Sequence, residues 1–529
     1  MIHYRNLDEC KSYYLLSKLP KIDIAHMLTP ERIASQTIRM PEGFSFSYAA
    51  APVDNDILKA LQALADEQEL VEKFKALAGG EIMNTGENRM VLHHLARGEL
   101  SGPVTVNGQN LREFYEGERK KATDFAATVH SGGIRGSTGK PFSTVVQIGI
   151  GGSDLGPRAA YMALERWAAA EGRLKMKAHF ISNVDPDDAD QVLRGLSLET
   201  TLFILVSKSG TTQETLANET LVRNRLDAAG LDSSRHLIAV TSKSSPLAEN
   251  PGYIASFYID DFIGGRYSTS SAVGGVVMSL AFGPGTFEEF LAGAHSFDTA
   301  ATEPSLQRNA ALLDAMIGLY ERNVLGMPFT AVLPYAEALS RFPAHLQQLD
   351  MESNGKSVNR SGLPVSYSTG PVVFGEPGTN GQHSFYQLLH QGTDPVPLQF
   401  IGFVENQHSD DVMSMGTSSR QKLVANLLAQ IVAFARGKDD PNPNKRFAGG
   451  RPSTLILGSR LGPRQLGALF AHYENKIMFQ GFAWNINSFD QEGVQLGKVL
   501  ANKVLSIMQG EKTDEAVLSA MAKAAGFLE

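Results

Sequence analysis

A single cysteine, Cys10, stands in the whole chain of 529 residues. No intramolecular disulfide can form and a cysteine-built metal centre is excluded; the thiol reads as inert. Long apolar runs are missing as well. No stretch approaches the ~20 consecutive apolar residues that a membrane-spanning helix needs. Met1 to Pro20 carries Asp8, Glu9, Lys11 and Lys18 where a secretory signal would have its apolar region. The cytoplasm is therefore the expected compartment. A basic excess is absent too: 48 Lys and Arg are set against 56 Asp and Glu, a net charge of −8. That balance argues against a nucleic-acid surface as the main function, but a locally positive site can still take a small anion. No set of His, Asp and Glu has clear metal-ligand spacing, so neither a bound metal nor a metal-dependent hydride shift is expected.

What remains is an ordinary globular composition, 43% hydrophobic and 20% charged, long enough to bury a large core without staples. Through about Phe125 the chain reads as helical. Asp56 to Ala65 and Gln68 to Leu77 place apolar residues at helical spacing, with no strong strand before Val104. The character changes near Pro141. Short β-branched or apolar runs at Ser143–Gly149, His179–Asn183, Thr201–Ser207, His236–Thr241 and Phe257–Asp260 predict strands, with helices at Gly156–Ala170 and Thr212–Ala229 between them. A second alternating block begins near Met327. Strands are predicted at Phe329–Pro334, Leu398–Val404 and Thr454–Gly458, with helices at Ser419–Arg436, Pro463–Lys476 and Gln491–Gln509. The alternation argues for an α/β protein of βαβ units with parallel sheets covered on both faces. A helical segment from about Phe287 to Leu325 joins the blocks, and Asp439–Lys445 reads as a solvated loop.

Two turns invite a ligand. Gly149-Ile-Gly-Gly-Ser-Asp-Leu-Gly-Pro follows a predicted strand and opens a helix. Its glycines permit close backbone approach, and a helix N-terminus favours an anion. A dinucleotide fold would want an acidic residue at the end of the next strand, which instead ends at Ser182-Asn183; a plain strand–helix turn remains the alternative. Ser207-Lys-Ser-Gly-Thr-Thr-Gln-Glu-Thr is more informative. One N-cap needs one hydroxyl, and this turn offers Ser207, Ser209, Thr211 and Thr212 beside Lys208. Such a cluster suits a phosphate monoester with its several acceptor oxygens. Neither turn carries the nucleoside-triphosphate signature Gly-x4-Gly-Lys-Ser/Thr.

Six segments in order then become recognisable: the two turns, Gly264-Gly-Arg-Tyr-Ser, Met351-Glu-Ser-Asn-Gly-Lys, Gly381-Gln-His-Ser-Phe-Tyr-Gln and Gln491-Glu-Gly-Val-Gln-Leu-Gly-Lys. Together they resemble the phosphoglucose isomerase family across Gly149 to Lys498, and Asn88–Arg97 is similar to the family's upstream segment. The resemblance implies two sugar-isomerase (SIS) type subdomains, each a mainly parallel sheet between helix layers. It divides the chain into a helical arm (1–125), a first phosphate-binding subdomain (126–286), a helical connection (287–325), a second subdomain (326–500) and a helical tail (501–529). It further implies a homodimer, no cofactor, and the reversible conversion of glucose 6-phosphate to fructose 6-phosphate in glycolysis and gluconeogenesis, by ring opening and a cis-enediolate.

The roles it implies are these. Glu352 is the base that moves a proton between C2 and C1, and the Asn354-Gly355 pair suggests a turn that holds it at a site edge. Arg266 faces the developing enediolate charge, with Gly264 and Gly265 allowing the chain an unusual path. His383, contributed by the partner subunit, exchanges protons in ring opening, with Lys498 as its partner at the ring oxygen or an electrostatic stabiliser beside it. Gly152, Ser153, Ser207, Lys208, Ser209, Thr211 and Thr212 grip the phosphate, and Gly265, Gln348 and Gln491 complete the substrate contacts. His93, His94, His345 and His390 have weaker claims. Two departures stand out: Gly210 occupies a place that is aromatic in animal members, and Gln495 replaces the usual Glu three residues before Lys498. A non-catalytic sugar-phosphate-binding protein on the same subdomains is the alternative; an NAD-dependent oxidoreductase is the third reading.

Overall fold

Two short strands, β1 (Thr37–Arg39) and β2 (Ser45–Ser47), lie in the stretch expected to hold no strong strand before Val104, as does a small separate hairpin of Ile82–Asn84 with Arg89–Met90. β1 and β2 have three residues each, too few to display period-two alternation. They are strands because of their neighbour: β2 pairs antiparallel with β11 (Ser453–Gly458), setting the fully buried Phe46 opposite Ile456. The rest of that stretch is mainly helical, including Asn55–Glu67, Leu70–Ala78 and Leu111–His130. The computed structural model describes residues 2–408, 410–511 and 515–528.

The first sheet holds β3 (Thr144–Ile148), β4 (Lys177–Ile181), β5 (Thr201–Val206), β6 (Leu237–Thr241) and β7 (Ser256–Tyr258) in the order β7-β6-β5-β3-β4. Every neighbouring pair is parallel. β5 and β6 are buried at every residue, which explains their unbroken apolar sequence. Helices Leu155–Ala170 and Gln213–Ala228 follow β3 and β5 within a residue or two of prediction.

The second sheet runs β1-β2-β11-β10-β8-β9, with β8 (Phe329–Tyr335), β9 (Val372–Phe374) and β10 (Leu398–Phe403) parallel to one another and to β11. Strand β9 escapes sequence reading for the same reason as β1. From β3 in the first sheet, and from β8 in the parallel part of the second, the chain goes to a neighbouring strand on one side (β4, β9) and then back to the other (β5, β10). The carboxyl ends of β3 and β5, and of β8 and β10, therefore flank switch points, where open α/β sheets bind ligands.

The chain divides into two compact units, Met1–Ser488 and Phe489–Glu529. Both sheets belong to the first. The second carries helices Gln495–Met508 and Ala516–Ala524; residues 512–514 and 529 of the expected tail lie outside the described residues. The expected connection is two helices, Pro284–Ala300 and Ala310–Asn323. Helix Pro463–Ala483 runs seven residues past its predicted end at Lys476. The polar residues at that point are buried against partners: Asn475 Nδ2 donates to Asp298 at 2.9 Å and Lys476 Nζ lies 3.3 Å from Asp314.

Those partners form a charged cluster inside the first unit. Lys476 and His472 Nε2, 3.1 Å from Asp314, hold that carboxyl below its ordinary range against the effect of burial. Glu321 fares differently. Burial pushes it up from 4.5 to about 8, and the attraction of Lys476 does not compensate. The folded chain thus binds the Glu321 proton more tightly than the unfolded chain. This stabilising contribution is complete below about pH 4.5 and is lost as pH rises through about 8. Glu321→Gln is therefore expected to melt higher than wild type at pH 8, by on the order of a few kcal/mol, with the gap closing at pH 5. Melting curves at the two pH values check this; a pH-independent difference would refute it.

Candidate active site

The glycine turn after β3 sits backbone-on-backbone against the Gly264–Arg266 segment. A Cβ built on Gly152 would lie 2.1 Å from the carbonyl carbon and oxygen of Gly265 and 2.6 Å from the Arg266 nitrogen. No side chain fits, so Gly152 is what lets the two turns meet. The expected unusual path at Gly264 and Gly265 is not found. Gly264 has ordinary extended backbone, φ −68 and ψ 151, and neither glycine is left-handed. Arg266 is aimed by the helical turn Gly265–Ser270 and by this close packing.

The hydroxyl turn after β5 leads into helix Gln213–Ala228, yet the N-cap, Thr212, makes no side-chain capping bond among the described residues. Its Oγ1 lies 3.1 Å from Ser207 Oγ instead. Ser207 Oγ accepts from the Gly210 N–H at 3.1 Å, while the Thr211 N–H and hydroxyl donate to Ser209 Oγ at 3.2 and 2.9 Å. Hydroxyls beyond the need of a cap, at the mouth of a helix N-terminus, offer the groups with which an anion can be held. Gly210 is required there: its φ is +69 and a Cβ would come within 2.2 Å of Ser245 Oγ. An aromatic residue at this place needs a different neighbouring loop. Lys208 Nζ donates to the Ile263 carbonyl at 3.3 Å and lies 3.4 Å from Asp261, tying the hydroxyl turn to the segment before Arg266. Burial lowers the Lys208 pKa, with Asp261 and Asp260 opposing the shift.

Glu352 does not sit in a turn. It ends a π-helical stretch, Gln348–Glu352, and helical backbone continues through Asn354. Asn354 is fully buried and structural: its Nδ2 donates to the Ile477 carbonyl at 3.0 Å and its Oδ1 accepts from Ser488 at 2.7 Å. Widened helical turns recur at functional sites. Here the widening presents Glu352 Oε1 3.5 Å from Arg266 Nη1, with the arginine side chain 1% exposed and the glutamate 22%. The guanidinium is braced on two more sides. Nε donates to Ser353 Oγ at 2.7 Å and Nη2 to the Ser488 carbonyl at 2.7 Å. Tyr267 Oη lies 2.9 Å from the same Ser353 hydroxyl. Gln348 points its Nε2 toward Gly151, and its Oε1 is buried with no hydrogen-bond partner among the described residues. A buried acceptor left open beside the glycine turn is a place for a ligand hydroxyl.

Ser353, Tyr267 and Ser488 surround the Arg266 guanidinium and escape sequence reasoning. The first two lie inside the recognisable segments, but nothing local says what a serine or tyrosine will touch.

His383 closes the short helical turn Asn380–His383, is exposed, and makes no side-chain hydrogen bond among the described residues. The weaker histidines have structural places. His93, His94 and His345 are fully buried, and burial lowers the last two to about 4 and about 3. His390 stacks on Phe434 with ring centres 3.8 Å apart. Gln491, Gln495 and Lys498 belong to the unit Phe489–Glu529, Lys498 exposed on helix Gln495–Met508. Among the described residues no three His, Cys, Asp or Glu side chains are grouped to hold a metal ion, and no helix is long and apolar enough to cross a membrane.

Two mainly parallel sheets between helices, with glycine- and hydroxyl-rich turns at the switch point of the first and an arginine–glutamate pair beside them, define an α/β protein of two SIS-type subdomains. The phosphoglucose isomerase family pattern matches residues 47–522. The chain is 59% identical over 514 residues to glucose-6-phosphate isomerase of Treponema denticola, covering 96% of this chain and 97% of that one. It is 46% identical to the same-named protein of Borreliella afzelii, with 96% of each covered. A crystal structure of a glucose-6-phosphate isomerase from Chlamydia trachomatis superposes with a TM-score of 0.92 at 44% identity, covering 99% of this chain and all of that one. The chain belongs to the phosphoglucose isomerase family and is an isomerase of that family.

Proposed function

We infer that this chain catalyses the reversible isomerisation of glucose 6-phosphate and fructose 6-phosphate, with Glu352 as the base that carries one proton between C2 and C1. The observation that carries the reading is the Glu352–Arg266 pair: a carboxylate at the edge of solvent, 3.5 Å from a buried, braced guanidinium. Removing the C2 proton of the open-chain aldose leaves negative charge on O1 and O2. A fixed cation there lowers the barrier because it needs no reorganisation as the charge appears. Returning the proton to C1 completes the ketose, and one carboxylate above both carbons serves each direction.

The phosphate is held by Ser207, Lys208, Ser209, Thr211 and Thr212, with Gly152 and Ser153 closing the cradle and Gly265 in the adjoining wall. Gln348 takes a sugar hydroxyl at its open Oε1, and Gln491 is a second hydroxyl contact. Gripping the remote phosphate positions the reacting carbons under Glu352 and turns binding energy into rate. Ring opening uses His383 and Lys498 as proton carriers at the ring oxygen and the C1 hydroxyl. A non-catalytic sugar-phosphate binder would need the turns but not the Glu352–Arg266 pair. We place the enzyme in the cytoplasm and keep the five-part division at 1–125, 126–286, 287–325, 326–500 and 501–529, with β1 and β2 of the arm lending their pairing to the second sheet.

His383 is contributed by the partner subunit of a homodimer; its exposure and lack of an internal partner support this. A complementation experiment tests it. Glu352→Gln and His383→Ala proteins are each expected to be nearly inactive. When they are unfolded together and refolded, mixed dimers have one site with both changes and one with neither, and activity returns. No recovery after mixing would place His383 in its own subunit's site. A coupled assay with fructose 6-phosphate tests the reaction itself; wild-type protein without turnover would overturn it.

A further inference from the structure

The second sheet has a switch point of its own, between the carboxyl ends of β8 and β10, and the reaction described above does not use it. A cavity of ≈ 420 Å³ opens there, in the size range of small-molecule sites. Its walls are the segment after β8, the segment after β10, and the middle of helix Leu155–Ala170; Phe403 and Leu461 give it an apolar floor. The polar lining is unusual. Arg166 and Arg420 bring positive charge, Glu165, Glu337 and Glu405 negative charge, and Ser340 and His408 further hydrogen-bonding groups; Glu165 already accepts from the Tyr161 hydroxyl at 2.9 Å. Yet these charges do not neutralise one another. Among the described residues Arg166, Glu337 and Glu405 have no side-chain hydrogen bond or ion pair. The Arg420 guanidinium makes one bond, from Nη1 to the Phe403 carbonyl at 3.4 Å.

Opposite charges that share a cavity without pairing leave both sets of hydrogen-bonding capacity for an occupant. A guanidinium recognises phosphate or carboxylate with parallel donors. A carboxylate, which only accepts, suits hydroxyl groups. A simple anion would be repelled by Glu337 and Glu405, and a simple cation by the arginines. One molecule with an anionic end and a hydroxylated body satisfies both. We propose that this cavity is a second ligand site, taking a small polyol that bears one phosphate or carboxylate, its anion on Arg166 and Arg420 and its hydroxyls on Glu337, Glu405 and Ser340. The site differs from the first sheet's cradle in emphasis: it binds through side-chain charges of both signs, where the Gly149–Ser153 and Ser207–Thr212 turns offer backbone groups and hydroxyls with Lys208 as their one charge.

Calorimetric titration of the full-length protein with ribitol 5-phosphate and, separately, gluconate tests this. Three proteins are compared: wild type, Arg166→Ala/Arg420→Ala, and Ser207→Ala/Thr212→Ala. Wild type is expected to show two classes of site for at least one probe. The arginine variant loses one class, weakening by roughly tenfold or more for each guanidinium removed, while its kcat and KM for fructose 6-phosphate stay at wild-type values. The hydroxyl variant keeps that class and loses the other. Glu405→Gln, a milder change, weakens the same class without touching turnover. If both probes show only a class that depends on Ser207 and Thr212, or if affinity is unchanged in both the arginine and Glu405 variants, the proposal fails. Because turnover is read in parallel, that failure is distinct from a failure of the isomerase reading.

Discussion

Glu352→Gln protein is expected to bind fructose 6-phosphate with little change in KM and to turn it over about 10²–10⁴-fold more slowly, the range a positioned general base contributes. The substitution keeps size and shape, so the π-helical stretch Gln348–Glu352 should persist. The cradle at Ser207–Thr212 is built from other elements and keeps its hydroxyl pairs. What disappears is the group able to take a carbon-bound proton. Exchange of a C1 hydrogen of fructose 6-phosphate with deuterated solvent should fall together with turnover, since both pass through the same abstraction. Wild-type exchange in the variant would mean that another group removes the proton.

Arg266→Lys keeps a positive charge and is still expected to cost about 10²–10³ in kcat, the scale of losing one fixed transition-state donor. The guanidinium works as a three-way brace: Nε on Ser353, Nη2 on the Ser488 carbonyl, Nη1 toward Glu352. An ammonium is a point charge on a flexible stem and cannot hold these directions at once. The loss should appear in kcat with KM nearly constant, because the phosphate cradle is untouched. Ser353→Ala should move kcat in the same direction by a smaller factor. If Arg266→Lys raises KM and spares kcat, the arginine binds ground state and transition state alike and the enediolate role is wrong.

Much of the architecture is legible before folding because its signals are local. Buried parallel strands such as β5 are continuous apolar runs, and helices such as Ser419–Arg436 carry their own start and stop residues: Ser418 caps its N-terminus and Gly437 follows its end. The failures share a cause. β1, β2 and β9 are strands only because a partner lies alongside, and Lys476 looks like a helix end only until Asp314 is seen next to it. The same division runs through the site. The hydroxyl turn advertises itself by an excess of serine and threonine over what one cap requires. Glu352 does not: its neighbours suggested a turn and the chain makes a widened helix.

Residue chemistry and spacing along the chain were thus enough for the α/β class and for locating the two strand–helix turns after β3 and β5, since each depends on a few adjacent residues and their backbone preferences. The arrangement around Arg266 and Glu352 has another origin. Arg266 and Ser353 are 87 positions apart and meet at 2.7 Å. Gly152 reads as a flexible residue, but its necessity comes from the Gly265 backbone pressed against it. Such contacts are set by how separate elements pack, and the positions of distant segments in space are not written in the residues around each one.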